Sequence, residues 1–170
     1  MWDQVISVLR QMMIDRGWTG WADGQTSDVY IVSNSSSSMM IYLCRMEKFN
    51  IESVKYMIYQ LQLHKLKHAL VVFQSIITSS ARKAIEHLQD YMIEMFEKKE
   101  VSFHLTHHRF FCPHVRVPPK EVARELNNVD THCLPVLLRT DVVSRYYYFS
   151  RGDVVRIHRK NGSIAYRLVK

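Results

Sequence analysis

The sequence predicts a mixed α/β chain, α+β overall, in two parts. Residues 1–106 read as an α/β unit, and residues 107–170 as a small α+β module ending in a β-hairpin. Three observations predict this. In the first hundred residues, stretches with apolar spacings of three and four alternate with short β-rich runs, in the order α, β, β, α, β, α, β. Prolines then punctuate the chain at Cys112-Pro113, Pro118-Pro119 and Leu134-Pro135. Finally, Asp153 to His158 and Ser163 to Val169 are β-rich and flank Lys160-Asn161-Gly162. Asn-Gly is a preferred hairpin turn and predicts positive φ at both central residues.

Each element has a local reason. Trp2, Val5, Ile6, Leu9, Met12 and Met13 form one apolar stripe on a helix, with Gly17 as its stop. Trp18 to Gly24 reads as a turn-rich loop. Asp28 to Ser33 and Met39 to Cys44 read as a hairpin joined by Asn34 and four serines. Asn50 is the expected cap of a helix carrying Ile51, Val54, Met57 and Leu61. The continuous apolar run Ala69 to Phe73 is the mark of a strand covered on both faces. Thr78-Ser79-Ser80 is expected to cap a long helix from Ala81 to about Lys99, and Val101 to Thr106 to follow as a strand. In the second part, Pro119 to Leu126 reads as a short helix with proline in its first turn. Thr140 is expected to cap another, Asp141 to Tyr147.

Charge is placed unevenly. Residues 1–104 hold 11 basic and 11 acidic residues, whereas residues 142–170 hold seven basic residues against Asp153 alone. Nearly the whole net charge of +7 therefore falls at the C-terminal end. Such a focused basic surface suits nucleic acid or an acidic protein partner, or is a plain solvated face. Five of the seven are arginines, which suit bidentate pairing at a protein interface better than lysines do.

The composition excludes several classes. The apolar runs are too short to span a membrane, and Met1-Trp2-Asp3-Gln4 shows no secretory signal. Three cysteines without framework spacing fit a reducing compartment. His104, His107, His108, Cys112 and His114 cluster, but without the paired close spacings of a zinc site. No hydrolase or phosphate-loop motif is present. Asp28 to Arg45 is similar to the strand pair where a metal-dependent nuclease carries its acids. Its second strand offers Tyr42, Leu43 and Cys44 instead, and one acid cannot hold the metals. No catalysis and no cofactor are expected. Thr78-Ser79-Ser80 followed by Arg82-Lys83 reads as an ordinary helix cap with two surface cations, or as a phosphate contact.

The C-terminal third carries a resemblance. Leu134-Pro135, Asp141-Val142-Val143-Ser144-Arg145-Tyr146, Arg151-Gly152-Asp153-Val154-Val155-Arg156-Ile157 and Tyr166-Arg167-Leu168-Val169 keep order and spacing. They resemble the fifth subunit shared by eukaryotic RNA polymerases I, II and III, whose archaeal counterpart consists of this C-terminal part alone. His114-Val115 is similar to the start of that module. Further forward, Asp15-Arg16-Gly17-Trp18 is similar to the family's Asp-Arg-Gly-Tyr, and Thr78-Ser79-Ser80-Ala81 to its Thr-Pro-Ser-Ala turn. There are departures: Val142 stands for a proline, Tyr148 for a glycine and Ser79 for the turn proline. The last hairpin and the Trp18–Asp28 segment are shorter than the family's, as in a divergent lineage such as a protist or a large DNA virus.

The resemblance implies a subunit without an active site. Its C-terminal module would dock on the polymerase's largest subunit, and its N-terminal jaw, similar to a restriction-endonuclease-like fold without the active site, would line the downstream DNA cleft. It implies docking by His114, Asp141, Arg145, Tyr146, Arg151 and Arg167, and phosphate proximity for Thr78, Ser79, Ser80, Arg82 and Lys83. The implied partners are the other polymerase subunits and duplex DNA, with no membrane and no small-molecule substrate. The implied location is the nucleus, or a virus factory and virion if the chain is viral. The rival readings are a free-standing nucleic-acid binder using the basic tail and a relic nuclease.

Overall fold

The structure is a computed structural model describing residues 2–24 and 26–170. It is mixed α and β and divides into two compact units, Met1–Phe103 and His104–Lys170.

The first unit runs α1 (Trp2–Asp15), β1 (Gly20–Asp23), β2 (Val29–Ser33), β3 (Ser38–Leu43), β4 (Lys48–Phe49), α2 (Ile51–Leu63), β5 (His68–Phe73), β6 (Ile76–Ile77), α3 (Ser79–Glu86) and β7 (Met92–Glu97). Five strands form one sheet in the order β1-β2-β3-β5-β7. The β1-β2-β3 part is antiparallel and the β3-β5-β7 part parallel. Parallel neighbours need a crossover, which α2 and α3 supply.

The sheet is buried on both faces. Side chains alternate along a strand, so Met40, Tyr42, Cys44, Ala69 and Val71 share one face. They pack with Val54, Met57 and Leu61 of α2 and Ala81 of α3. Met39, Ile41, Leu43, Leu70 and Val72 point the other way and are equally buried. The stripe Val5, Val8, Leu9, Met12 and Met13 of α1 is also buried, each side chain contributing roughly 1.5–3 kcal/mol.

The helix ends follow the sequence. Gly17 takes φ +83, with its N–H bonded to Ile14 O and that of Trp18 to Met13 O, closing α1 in a Schellman motif. Asn50 caps α2, its Oδ1 accepting from Ser53 N at 3.0 Å. Thr78 caps α3, its Oγ1 accepting from Ala81 N at 3.3 Å.

Three expectations are corrected here. The helix predicted over Ala81–Lys99 ends at Glu86, and Met92–Glu97 is strand β7. Ile93 and Met95 face α2 and α3 while Phe96 is buried on the other side. A strand apolar on both faces imitates a helical stripe. The strand predicted over Val101–Thr106 is instead 3-10 turns at Lys98–Val101 and Leu105–His107. The Trp18–Gly24 loop contains β1, where Gly20 pairs with Ser33 so closely that a Cβ would lie 2.3 Å from the Ser33 hydroxyl.

The second unit runs β8 (His114–Arg116), α4 (Pro119–Glu125), β9 (Val136–Leu137), α5 (Val142–Tyr147), β10 (Val154–His158) and β11 (Ile164–Val169). Its sheet order is β8-β10-β11-β9, with only the β11–β9 pair parallel. One face packs Val154 and Leu168 with Val122 and Leu126 at α4. The other packs Val155, Ile157 and Val169 with Leu137, Tyr147 and Phe149.

Two local expectations change. Asp141, not Thr140, caps α5, its Oδ1 accepting from Val143 N at 2.8 Å. A carboxylate there also meets the positive end of the helix dipole. In the hairpin, Gly162 has φ +83 but Asn161 is not in the positive-φ region. Gly162 N bonds Arg159 O at 3.0 Å, and Arg159 N bonds Ser163 O. This is a three-residue loop with glycine in the left-handed position. The Asn161 side chain accepts from Ser163 N and Oγ at 3.0 and 2.7 Å.

Candidate docking site

In the second unit, the sheet face carrying Val155 and Val169 is packed by Tyr147 at the end of α5, by Phe149 just after it and by Leu137. Towards the hairpin end it opens into a cavity of about 700 Å³. His114, Asp141 and Arg167 all line it, so the structure brings these three predicted residues together. His114 leaves β8 opposite Ile157. Its Nδ1 lies 2.5 Å from Cys112 O and therefore donates to it. Burial lowers the His114 pKa, and Arg167 lowers it too, while the Cys112 carbonyl and Asp141 pull the other way. Arg167, opposite Val155 on β11, donates from Nη1 to Val136 O at 3.0 Å.

The other three lie outside the cavity lining. Tyr146 is 5% exposed and packs edge-on against Tyr147, so it is a core residue of α5. Arg145 is half-buried on the same helix, and Arg151 is exposed in the turn before β10.

The basic end is partly consumed by the fold. Arg156 donates from Nη1 to Glu125 Oε1 at 2.7 Å, and the Tyr166 hydroxyl to Oε2 at 3.0 Å. These bonds fasten α4 to the hairpin. Lys160 Nζ donates to the Arg109 carbonyl. Sequence reasoning passed over Arg116. Its Nε pairs with Asp153 at 2.9 Å, its Nη2 donates to Tyr148 O at 2.9 Å, and its guanidinium lies 5.6 Å from the Phe149 ring centre. No local pattern marks it, because its partners lie more than thirty positions away in sequence.

In the first unit, Ser79, Ser80, Arg82 and Lys83 are exposed on the first turns of α3. Thr78 Oγ1 serves the cap and lies 3.2 Å from Ser80 Oγ. On the strand pair compared with a nuclease, Asp28 pairs with Arg45 at 2.6 Å. Among the described residues, no three of His, Cys, Asp and Glu converge so as to hold a metal ion.

The second unit is thus a four-stranded sheet packed by α4 on one face and by the end of α5 on the other, with an arginine-bearing hairpin. Residues 103–169 match the family described as RNA polymerase Rpb5, C-terminal domain. The chain is similar to the DNA-directed RNA polymerases I, II, and III subunit RPABC1 of Caenorhabditis briggsae and of Caenorhabditis elegans. Each is 30% identical over 141 residues, covering 79% of this chain and 67% of the relative. It is also similar to DNA-directed RNA polymerase subunit 5-like protein 1 of Arabidopsis thaliana, 32% identical over 102 residues, covering 58% of this chain and 49% of that protein. The chain belongs to the Rpb5 family of RNA polymerase subunits.

Proposed function

We propose that this protein is a non-catalytic subunit of a multisubunit DNA-directed RNA polymerase. Its C-terminal module, residues 107–170, docks on the largest subunit, and its N-terminal unit, residues 1–106, lines the downstream DNA cleft. The observation that carries the reading is the family match over residues 103–169, the segment that also holds the basic excess. Arg145, Arg151 and the cavity group His114, Asp141 and Arg167 are the docking residues, with Tyr146 holding α5 in shape. Ser79, Ser80, Arg82 and Lys83 face phosphates from the start of α3, with Thr78 fixing the helix end. Transcription places the protein in the nucleus, or in a virus factory and virion if the chain is viral.

Purification of the tagged protein from its native cell tests this. Recovery of the other polymerase subunits in comparable amounts is expected. Recovery without them, together with tight, salt-sensitive duplex binding by the pure chain, would favour the free-standing nucleic-acid binder.

A further inference from the structure

The cavity of the second unit has an apolar floor and a cationic rim. Leu137, Val143 and Ile157 come to the floor from three different elements. Leu137 and Ile157 are buried, so the floor is fixed by core packing. The rim carries Arg159, Lys160 and Arg167 against one carboxylate, Asp141, among the described residues. Asp141 Oδ1 is committed to the Val143 N–H of its own helix, and the His114 ring adds no charge in its neutral form. The cavity therefore holds an excess of positive charge beside an apolar surface. Its volume, about 700 Å³, suits a few side chains of a bound segment.

We propose that this cavity seats an extended peptide segment of a partner protein in which an apolar side chain stands beside a carboxylate. The apolar group covers Leu137, Val143 and Ile157, and the carboxylate meets Arg159 and Arg167. Charge complementarity selects the occupant. A lysine-bearing segment would add like charge to a partly desolvated site, whereas the guanidinium fork matches a carboxylate in geometry. With its Nδ1–H on Cys112 O, the neutral His114 ring keeps Nε2 as an acceptor. The inference rests on the docking reading for which protein carries the segment, the polymerase's largest subunit, and not for the segment's chemistry.

Titration of the isotope-labelled full chain with two synthetic peptides, followed by amide chemical shifts, tests it. The probes are acetyl-Asp-Leu-Asp-Phe-amide and acetyl-Lys-Leu-Lys-Phe-amide. The acidic peptide is expected to shift Leu137, Val143, Ile157 and Arg167, and the lysine peptide to leave them in place. Arg167→Glu is expected to weaken binding about tenfold or more, and Arg124→Glu, exposed on α4 and outside the cavity, to leave it unchanged. Because Arg167 also bonds Val136 O, Arg159→Glu on the exposed rim provides a second variant. No shift at the cavity, equal shifts from both peptides, or unchanged binding in both rim variants would overturn the proposal. Peptide binding by a chain that recovers no polymerase sinks the docking reading alone. Polymerase recovery without peptide binding sinks the cavity proposal alone.

Discussion

Arg16 and Glu94 form a bidentate ion pair across 78 positions of sequence, with Nη1–Oε1 at 3.0 Å and Nη2–Oε2 at 2.8 Å. Their side chains are 3% and 9% exposed. His68 Nε2 lies 2.8 Å from the same carboxylate, and Trp18 packs edge-on to the His68 ring. The Asp15-Arg16-Gly17-Trp18 stretch thus ends α1, turns the chain and ties that turn to β7 and β5.

Breaking this pair is predicted to be costly. Arg16→Ala leaves a buried carboxylate short of its main partner and should lower stability by about 3–5 kcal/mol, read by urea denaturation at pH 7. A loss below about 1 kcal/mol would show that the pair behaves like an exposed one.

The same carboxylate gives a pH dependence. Burial opposes its ionisation most strongly, but the bonds from His68 and Arg16 outweigh burial and hold Glu94 below its ordinary value of 4.5. A lowered carboxylate stabilises the fold above the unfolded value, and that contribution is lost as pH falls through the folded value. Thermal melts should therefore fall more steeply below about pH 4.5 in the native chain than in Glu94→Gln. Parallel curves would contradict this.

Tyr148 lies at the end of α5 with φ +55. Its N–H bonds Arg145 O, and Phe149 N bonds Ser144 O, so the position requires a left-handed backbone. A side chain costs about 1 kcal/mol there. Tyr148→Gly is predicted to raise stability by about 0.5–1 kcal/mol and Tyr148→Ala to give no such gain, as measured by calorimetry. Equal effects of the two would remove the backbone explanation.

Arg156 and Tyr166 both bond the Glu125 carboxylate and so tie the end of α4 to the hairpin. Glu125→Ala should cost about 1–3 kcal/mol and speed hydrogen exchange in Pro119–Glu125 more than in α5. Uniform exchange across both helices would argue against the fastening role.

Much of this was legible in the sequence because the signals were local. Gly17, Asn50 and Thr78 end or start helices as their chemistry dictates, and the Ala69 to Phe73 run lies inside the sheet, between β3 and β7. What failed depended on distant partners. Met92 to Glu97 has a period that fits helix and strand alike, and β5 decides between them by pairing along its whole length. β8 and β9 are three and two residues long and are specified by their neighbours. Of the residues for which docking is proposed, His114, Asp141 and Arg167 come to one cavity only because β8, β11 and the α5 cap converge. Tyr146, one of the residues for which the resemblance implies docking, is buried in α5.

Cross-linking mass spectrometry on the complex purified through this chain tests the central claim most directly. The account predicts that Lys120, Lys160 and Lys170 link chiefly to the largest subunit of a polymerase, and that Lys83 links elsewhere. Links confined to the chain itself, or a complex lacking any polymerase subunit, would contradict it.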